Sequence, residues 1–158
     1  MLLGRKRKLG RKLEEISVGE KLTFTEKVED KDILLYLGLT NDANPLYIQH
    51  DYATQTPFEK PVVPAIMLTG MITSAVSKYL PGPGSHILSQ NIEFKKPVYH
   101  YASIDFLFEI VNVDYKRHLV TIQVIATNEE KDTVITGQLN VCPPHRLEMI
   151  NGSTLENF

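Results

Sequence analysis

Apolar positions along the chain change their period several times, and each change marks an element. Residues 22–28 alternate well enough to form a first strand. Asp30 or Asp32 can cap a short helix that carries Ile33, Leu34, Tyr36 and Leu37. Residues 38–61 are polar and irregular, with two or three turn signals; a stretch of that length is functional or holds short helical turns. In residues 62–80, Ile66, Met67, Met71, Ile72, Ala75, Val76 and Tyr79 stand mostly three or four apart, which is helical spacing, and Pro81-Gly82 ends it. The polar interruptions (Thr69, Gly70, Thr73, Ser74, Ser77) are small and uncharged, so this helix is expected to be buried on most sides. Four strands follow, at residues 86–94, 103–113, 118–127 and 133–141. Ile104, Phe106, Phe108 and Ile110 keep period two, as do Val120, Ile122 and Val124. The polar breaks at 114–117 and 128–132 are short, so the last three strands form an antiparallel meander. The order predicts an α+β fold in which one long helix is wrapped by a curled antiparallel sheet.

Composition narrows the picture. A chain of 158 residues with 42% apolar content suits one domain with a buried core. The expected division is a basic N-terminal tail at 1–15, a domain at 16–145 and a C-terminal tail at 146–158. No uncharged apolar run of about 18 residues is present, so no membrane span is expected. The N-terminus lacks the apolar core of a signal peptide, and a cytoplasmic location is the expectation.

The net charge of -2 is unevenly spread. Arg5, Lys6, Arg7, Lys8, Arg11 and Lys12 account for six of the 17 basic residues, leaving 11 against 19 acidic ones, or -8, elsewhere. An acidic body argues against a nucleic-acid partner. The tail itself reads as a solvated terminus; the functional alternative is an anionic partner such as RNA, a membrane surface or coenzyme A phosphates. The lone Cys142 rules out a disulfide within the chain, and before Pro143-Pro144 it reads as a small hydrophobe rather than a nucleophile. His50, His86, His100, His118 and His145 are scattered without ligand spacing, so no metal site is expected.

The run Asn41-Asp42-Ala43-Asn44-Pro45-Leu46-Tyr47 resembles the hydratase motif Asp-x-Asn-Pro-(Ile/Leu)-His of the MaoC-like family, the (R)-specific enoyl-CoA hydratases. The likeness continues without gaps through Tyr52-Ala53, Phe58, Pro61-Val62-Val63, Leu80-Pro81-Gly82-Pro83-Gly84, Phe94 and Pro97-Val98, and spans residues 22–127. It implies a hot-dog fold and a homodimer or higher oligomer made by joining sheets edge to edge. It also implies acyl-CoA or acyl carrier protein thioesters as ligands, bound at the dimer interface. No cofactor is implied beyond the carrier of the acyl group.

The implied reaction, in fatty-acid metabolism, is reversible hydration of a 2-enoyl thioester to the 3-hydroxyacyl thioester. It needs a base for water, an acid for C2 and a donor for the enolate oxygen. By resemblance Asp42 is the base, Tyr47 falls on the family's catalytic histidine, and the amide of Ala65 is the oxyanion donor. Asn44, Phe58, Val63 and Thr73 are expected to contact substrate. Each has a structural alternative: Asp42 as the cap of the Asn44-Pro45 turn, Tyr47 as a lining aromatic, Thr73 bonded to its own helix.

Tyr47 is the main departure, since tyrosine, with a pKa of about 10, accepts a proton poorly at neutral pH. His50, three residues on, is the alternative catalytic partner if one helical turn carries both. Val63-Pro64-Ala65 stands where the family has His-Gly, and Tyr99-His100-Tyr101-Ala102 where it has Gly-Asp; Lys95 and Lys96 precede the latter and could face coenzyme A phosphates. A thioester hydratase is therefore the expected function. A catalytically degenerate thioester binder and a thioesterase are the alternatives.

Overall fold

The period-two stretches pair into one antiparallel sheet. In the computed structural model of the protein, which describes residues 8–145, its strands are β1 (Lys21–Lys27), β2 (His86–Phe94), β3 (Ser103–Asp114), β4 (Leu119–Thr127) and β5 (Thr133–Cys142). Their order across the sheet is β1-β3-β4-β5-β2, which leaves β1 and β2 as the edges. Register follows the alternation: Phe24 lies opposite Phe106, Phe108 opposite Val124 and Ile122 opposite Leu139. All the apolar partners on β3, β4 and β5 in these pairs are buried on the inner face. Breaks in register near Ile110, Ala126 and Ile87 add local twist, which helps a sheet to curl. Gly137 lets β2 approach, because a Cβ there would stand 3.0 Å from the Asn91 carbonyl oxygen.

A 3-10 turn (Leu13–Glu15) and four α-helices accompany the sheet among the described residues: α1 (Asp30–Thr40), α2 (Pro45–Ile48), α3 (His50–Ala53) and α4 (Ala65–Lys78). α4 lays Leu68, Ile72, Ala75 and Val76 into the concave face of the sheet. Full burial of side chains such as Leu68 and Ile72 contributes about 1.5–3 kcal/mol each. This is the hot-dog arrangement that the resemblance implied. α2 and α3 supply the short helical turns expected in the long polar stretch.

Three expectations need correction. α4 begins at Ala65 rather than at 62, because Val62 bridges Tyr99 and the Val63 amide bonds the Val98 carbonyl at 2.8 Å. A residue before proline also avoids helical geometry. α4 is buried on one face only: Ile66, Gly70, Thr73 and Ser77 form an exposed, uncharged stripe. The third concerns the tail. Gly10 and Arg11 bond the Pro83 and Pro81 carbonyl oxygens at 2.7 and 2.8 Å, and Leu13 is buried, so folded contacts reach back to Gly10. Gly10 lies so close to Pro81 and Gly82 that a Cβ would not fit. Arg5, Lys6 and Arg7 lie outside the described residues, as does the expected C-terminal tail. No helix among the described residues is long and apolar enough to cross a membrane.

Candidate active site

Asp42 is delivered by the end of α1. That helix starts where the Asp32 carboxylate accepts the Glu29 amide at 3.0 Å, and it closes at Asn41, whose left-handed backbone (φ 56°) is one that asparagine tolerates. The half-buried Asp42 then divides its carboxylate. Oδ1 accepts the Asn44 amide at 3.3 Å, the turn-capping role, and Oδ2 accepts the Tyr36 hydroxyl at 2.6 Å.

The hydrogen bond to this carboxylate is the largest influence on Tyr36 and raises its pKa above the ordinary tyrosine range, with Tyr47 close enough to add to the effect. Tyr36 therefore stays a protonated donor across the neutral and mildly alkaline range. From the sequence, Tyr36 is only one position of a short helix. Its one distinguishing signal was a hydroxyl among the apolar positions of α1.

Asn44 caps α2, with its side-chain oxygen accepting the Leu46 amide at 3.0 Å and Pro45 in the first helical position. That bond uses one of the two lone pairs of the oxygen, and the other stays open. Tyr47 is half-buried in α2, and its hydroxyl has no hydrogen-bond partner among the described residues. Gln49 between α2 and α3 is extended (φ -114°, ψ 107°), so Tyr47 and His50 belong to different short helices, and the single turn that was to carry both does not exist. His50 is exposed.

A strap at 61–63 fixes the start of α4 beside these residues. The Val62 amide bonds the Leu46 carbonyl of α2 at 3.0 Å, while Val63 bonds Val98 on the other side. Val63 is 5% exposed and belongs to the core. Phe58 is 39% exposed, and its carbonyl accepts the Tyr99 hydroxyl at 2.9 Å.

α4 has no side-chain cap, and the Ala65 and Ile66 amides find no acceptor among the described residues. Two free N–H groups at the positive end of a 14-residue helix can hold a developing oxyanion. Thr73 is not part of this group. Its hydroxyl donates to the Thr69 carbonyl at 3.0 Å, and it lines an open hollow of about 520 Å³ between α4 and β2 with Val76, Ser77 and residues 85–90. Asp42, Tyr47 and Ala65 do not line that hollow. Lys95 pairs with Glu93 and Lys96 with Asp132, both at the surface.

Known proteins resemble the chain along most of its length. The MaoC like domain family matches residues 14–134. The (R)-specific enoyl-CoA hydratase of Rhodospirillum rubrum is 29% identical over 133 residues, covering 84% of this chain and 92% of that one. The (R)-specific enoyl-CoA hydratase of Aeromonas caviae is 24% identical over 131 residues, covering 83% and 98%. Among solved structures, the unliganded R-hydratase of Pseudomonas aeruginosa superposes with a TM-score of 0.80 at 23% identity, covering 90% of this chain and 93% of the other. That likeness bears on the fold.

Proposed function

The chain belongs to the MaoC-like domain family, and from that premise we propose that it is a hydro-lyase that reversibly hydrates a 2-enoyl thioester to the 3-hydroxyacyl thioester. The observation that carries the reading is the half-buried Asp42 carboxylate, held by Tyr36 at 2.6 Å, on a loop that the Leu46–Val62 bond ties to the uncapped start of α4. In this reading Asp42 takes a proton from water as the oxygen attacks C3. The Ala65 amide receives the charge that develops on the thioester oxygen. Tyr47 gives a proton to C2, and both side chains recover their starting states through solvent. Tyr36 positions the Asp42 carboxylate. The reaction needs no cofactor beyond the coenzyme A or acyl carrier protein that bears the acyl group.

The same reading includes a homodimer in the cytoplasm. Its support is the uncharged stripe on α4 beside β2, an edge strand with most residues exposed, including Leu88 and Phe94. Unprotected edges of this kind are usually paired.

The test is steady-state hydration of crotonyl-CoA by the pure full chain, followed by loss of the enoyl thioester's ultraviolet absorbance. Asp42→Asn should lower kcat at least about 100-fold without unfolding the protein, because an amide cannot take the proton. A wild type inert at high enzyme concentration, or an active Asp42→Asn, overturns the assignment. Tyr47 in place of histidine favours one second reading, a protein that binds the thioester without turnover.

A further inference from the structure

The strand pairing gathers three side chains that are far apart in sequence. Val120 on β4 lies opposite Val141 on β5, so two steps along the ladder His118 comes against Pro143, and Cys142 ends β5 next to them. His145 folds back so that its ring stacks on that of His118, with centroids 3.9 Å apart and planes within 10°. One ligand atom from each of His118, Cys142 and His145 falls within 4.8 Å of the other two. His118 and Cys142 are half-buried and His145 is exposed, so the group is open to solvent.

We propose that His118, Cys142 and His145 form a binding site for a thiophilic transition-metal ion such as Zn²⁺, separate from the candidate active site. The Sγ of Cys142 and Nε2 of His145 are 3.5 Å apart. Tetrahedral zinc with bonds of about 2.3 Å to sulfur and about 2.05 Å to nitrogen holds such atoms about 3.6 Å apart, so this pair already has the required spacing. The third ligand needs one local change. His118 Nε2 now lies 3.2 Å from the Pro143 carbonyl oxygen, and its ring must turn out of the stack to face the same point.

The donor set selects the ion. A thiolate with two imidazoles suits zinc and its soft neighbours, whereas calcium and magnesium require oxygen ligands, which this group lacks. Three ligands leave a fourth position for water or an added donor. Binding releases the thiol proton to solvent and so weakens as pH falls. Pro144 packs near Gly84, just beyond the C-terminal end of α4. Ala65 begins α4, about 20 Å away at the helical rise, so the two sites lie at opposite ends of that helix. The metal would clip the chain after β5 to the β3–β4 hairpin.

Cobalt(II) gives a direct readout, since Cys142 is the only thiol. Titrating the reduced full chain with Co²⁺ should produce a thiolate-to-cobalt charge-transfer band at one equivalent, together with tetrahedral visible bands that Zn²⁺ then removes. Cys142→Ser should abolish the charge-transfer band. His118→Ala and His145→Ala should each weaken binding at least about tenfold. Zn²⁺ should raise the Tm of the wild type and not that of Cys142→Ser, with circular dichroism checking that each variant is folded. No band at equimolar cobalt overturns the proposal. So does a band that survives both histidine substitutions, since it reports a thiolate binding metal alone.

Discussion

Asp42 performs two tasks with two oxygens. One caps the turn before Asn44, and the other accepts Tyr36. The turn role and the catalytic role, which the sequence presents as alternatives, are compatible in one carboxylate because each oxygen has a second lone pair for water. Tyr47 supplies a hydroxyl where a histidine would supply a group that titrates near neutrality. Tyr36 does not replace that function, since its raised pKa makes it a firmer donor and a poorer acceptor. Tyr47→His should therefore raise crotonyl-CoA hydration by up to about 10² to 10⁴, read as kcat/KM. If the variant binds the thioester and stays inert, the binding-only reading gains. Asp42, Tyr47 and the Ala65 amide can be proposed from the sequence because they follow a motif. The Tyr36–Asp42 bond and the His118–Cys142–His145 group cannot, because both depend on how the backbone turns or pairs between distant positions.

Elements were more legible than residues. β2 is found where the alternation places it, and β3, β4 and β5 differ from expectation by one residue at an end. Long apolar periodicity is the strongest signal a chain offers. Residues 1–15 have no such periodicity and read as a tail, yet Arg11 within them is held to the domain. Its guanidinium forms an ion pair with Glu20 and also donates to the Glu15 carbonyl. The Arg11 hydrogen bond is the main cause that lowers the Glu20 pKa below the ordinary 4.5, against a smaller opposing effect of burial.

A carboxyl with a depressed folded-state pKa adds stability above its unfolded pKa and loses it as pH falls through the depressed value. Glu20→Gln should thus lower stability at pH 7 by no more than about 1 kcal/mol, since the pair is partly exposed. The gap to wild type should close as pH falls below the ordinary carboxyl range. Thermal melts of both proteins between neutral and strongly acid pH measure this. A gap that persists unchanged in acid would show that Glu20 acts through packing rather than charge.

For the whole molecule, one side of α4 remains to be explained. Leu68, Ile72, Ala75 and Val76 bury one face, but Ile66, Gly70, Thr73 and Ser77 leave the other exposed and without charge. A solvated helix face ordinarily carries charged side chains. The face continues into the hollow beside β2, and the exposed Leu34, Leu35 and Leu39 of α1 add further uncovered apolar surface. A second copy joined at β2 would cover the stripe and the hollow together and would extend the sheet. Gly70 allows this to be tested without disturbing the protomer. A Cβ added there meets nothing within 4 Å, and most residues favour a helix interior over glycine. Gly70→Trp therefore gains helix propensity and starts from an open position, yet places a bulky ring where the second copy packs. Light scattering at micromolar concentration should give twice the chain mass of 17.9 kDa for wild type and the single mass for the variant. Gly70→Ala should stay dimeric, because a methyl group is small enough for a packed helix face. A monomeric wild type refutes the dimer. A dimeric Gly70→Trp moves the interface away from α4 and leaves the stripe to line the path by which an acyl chain enters.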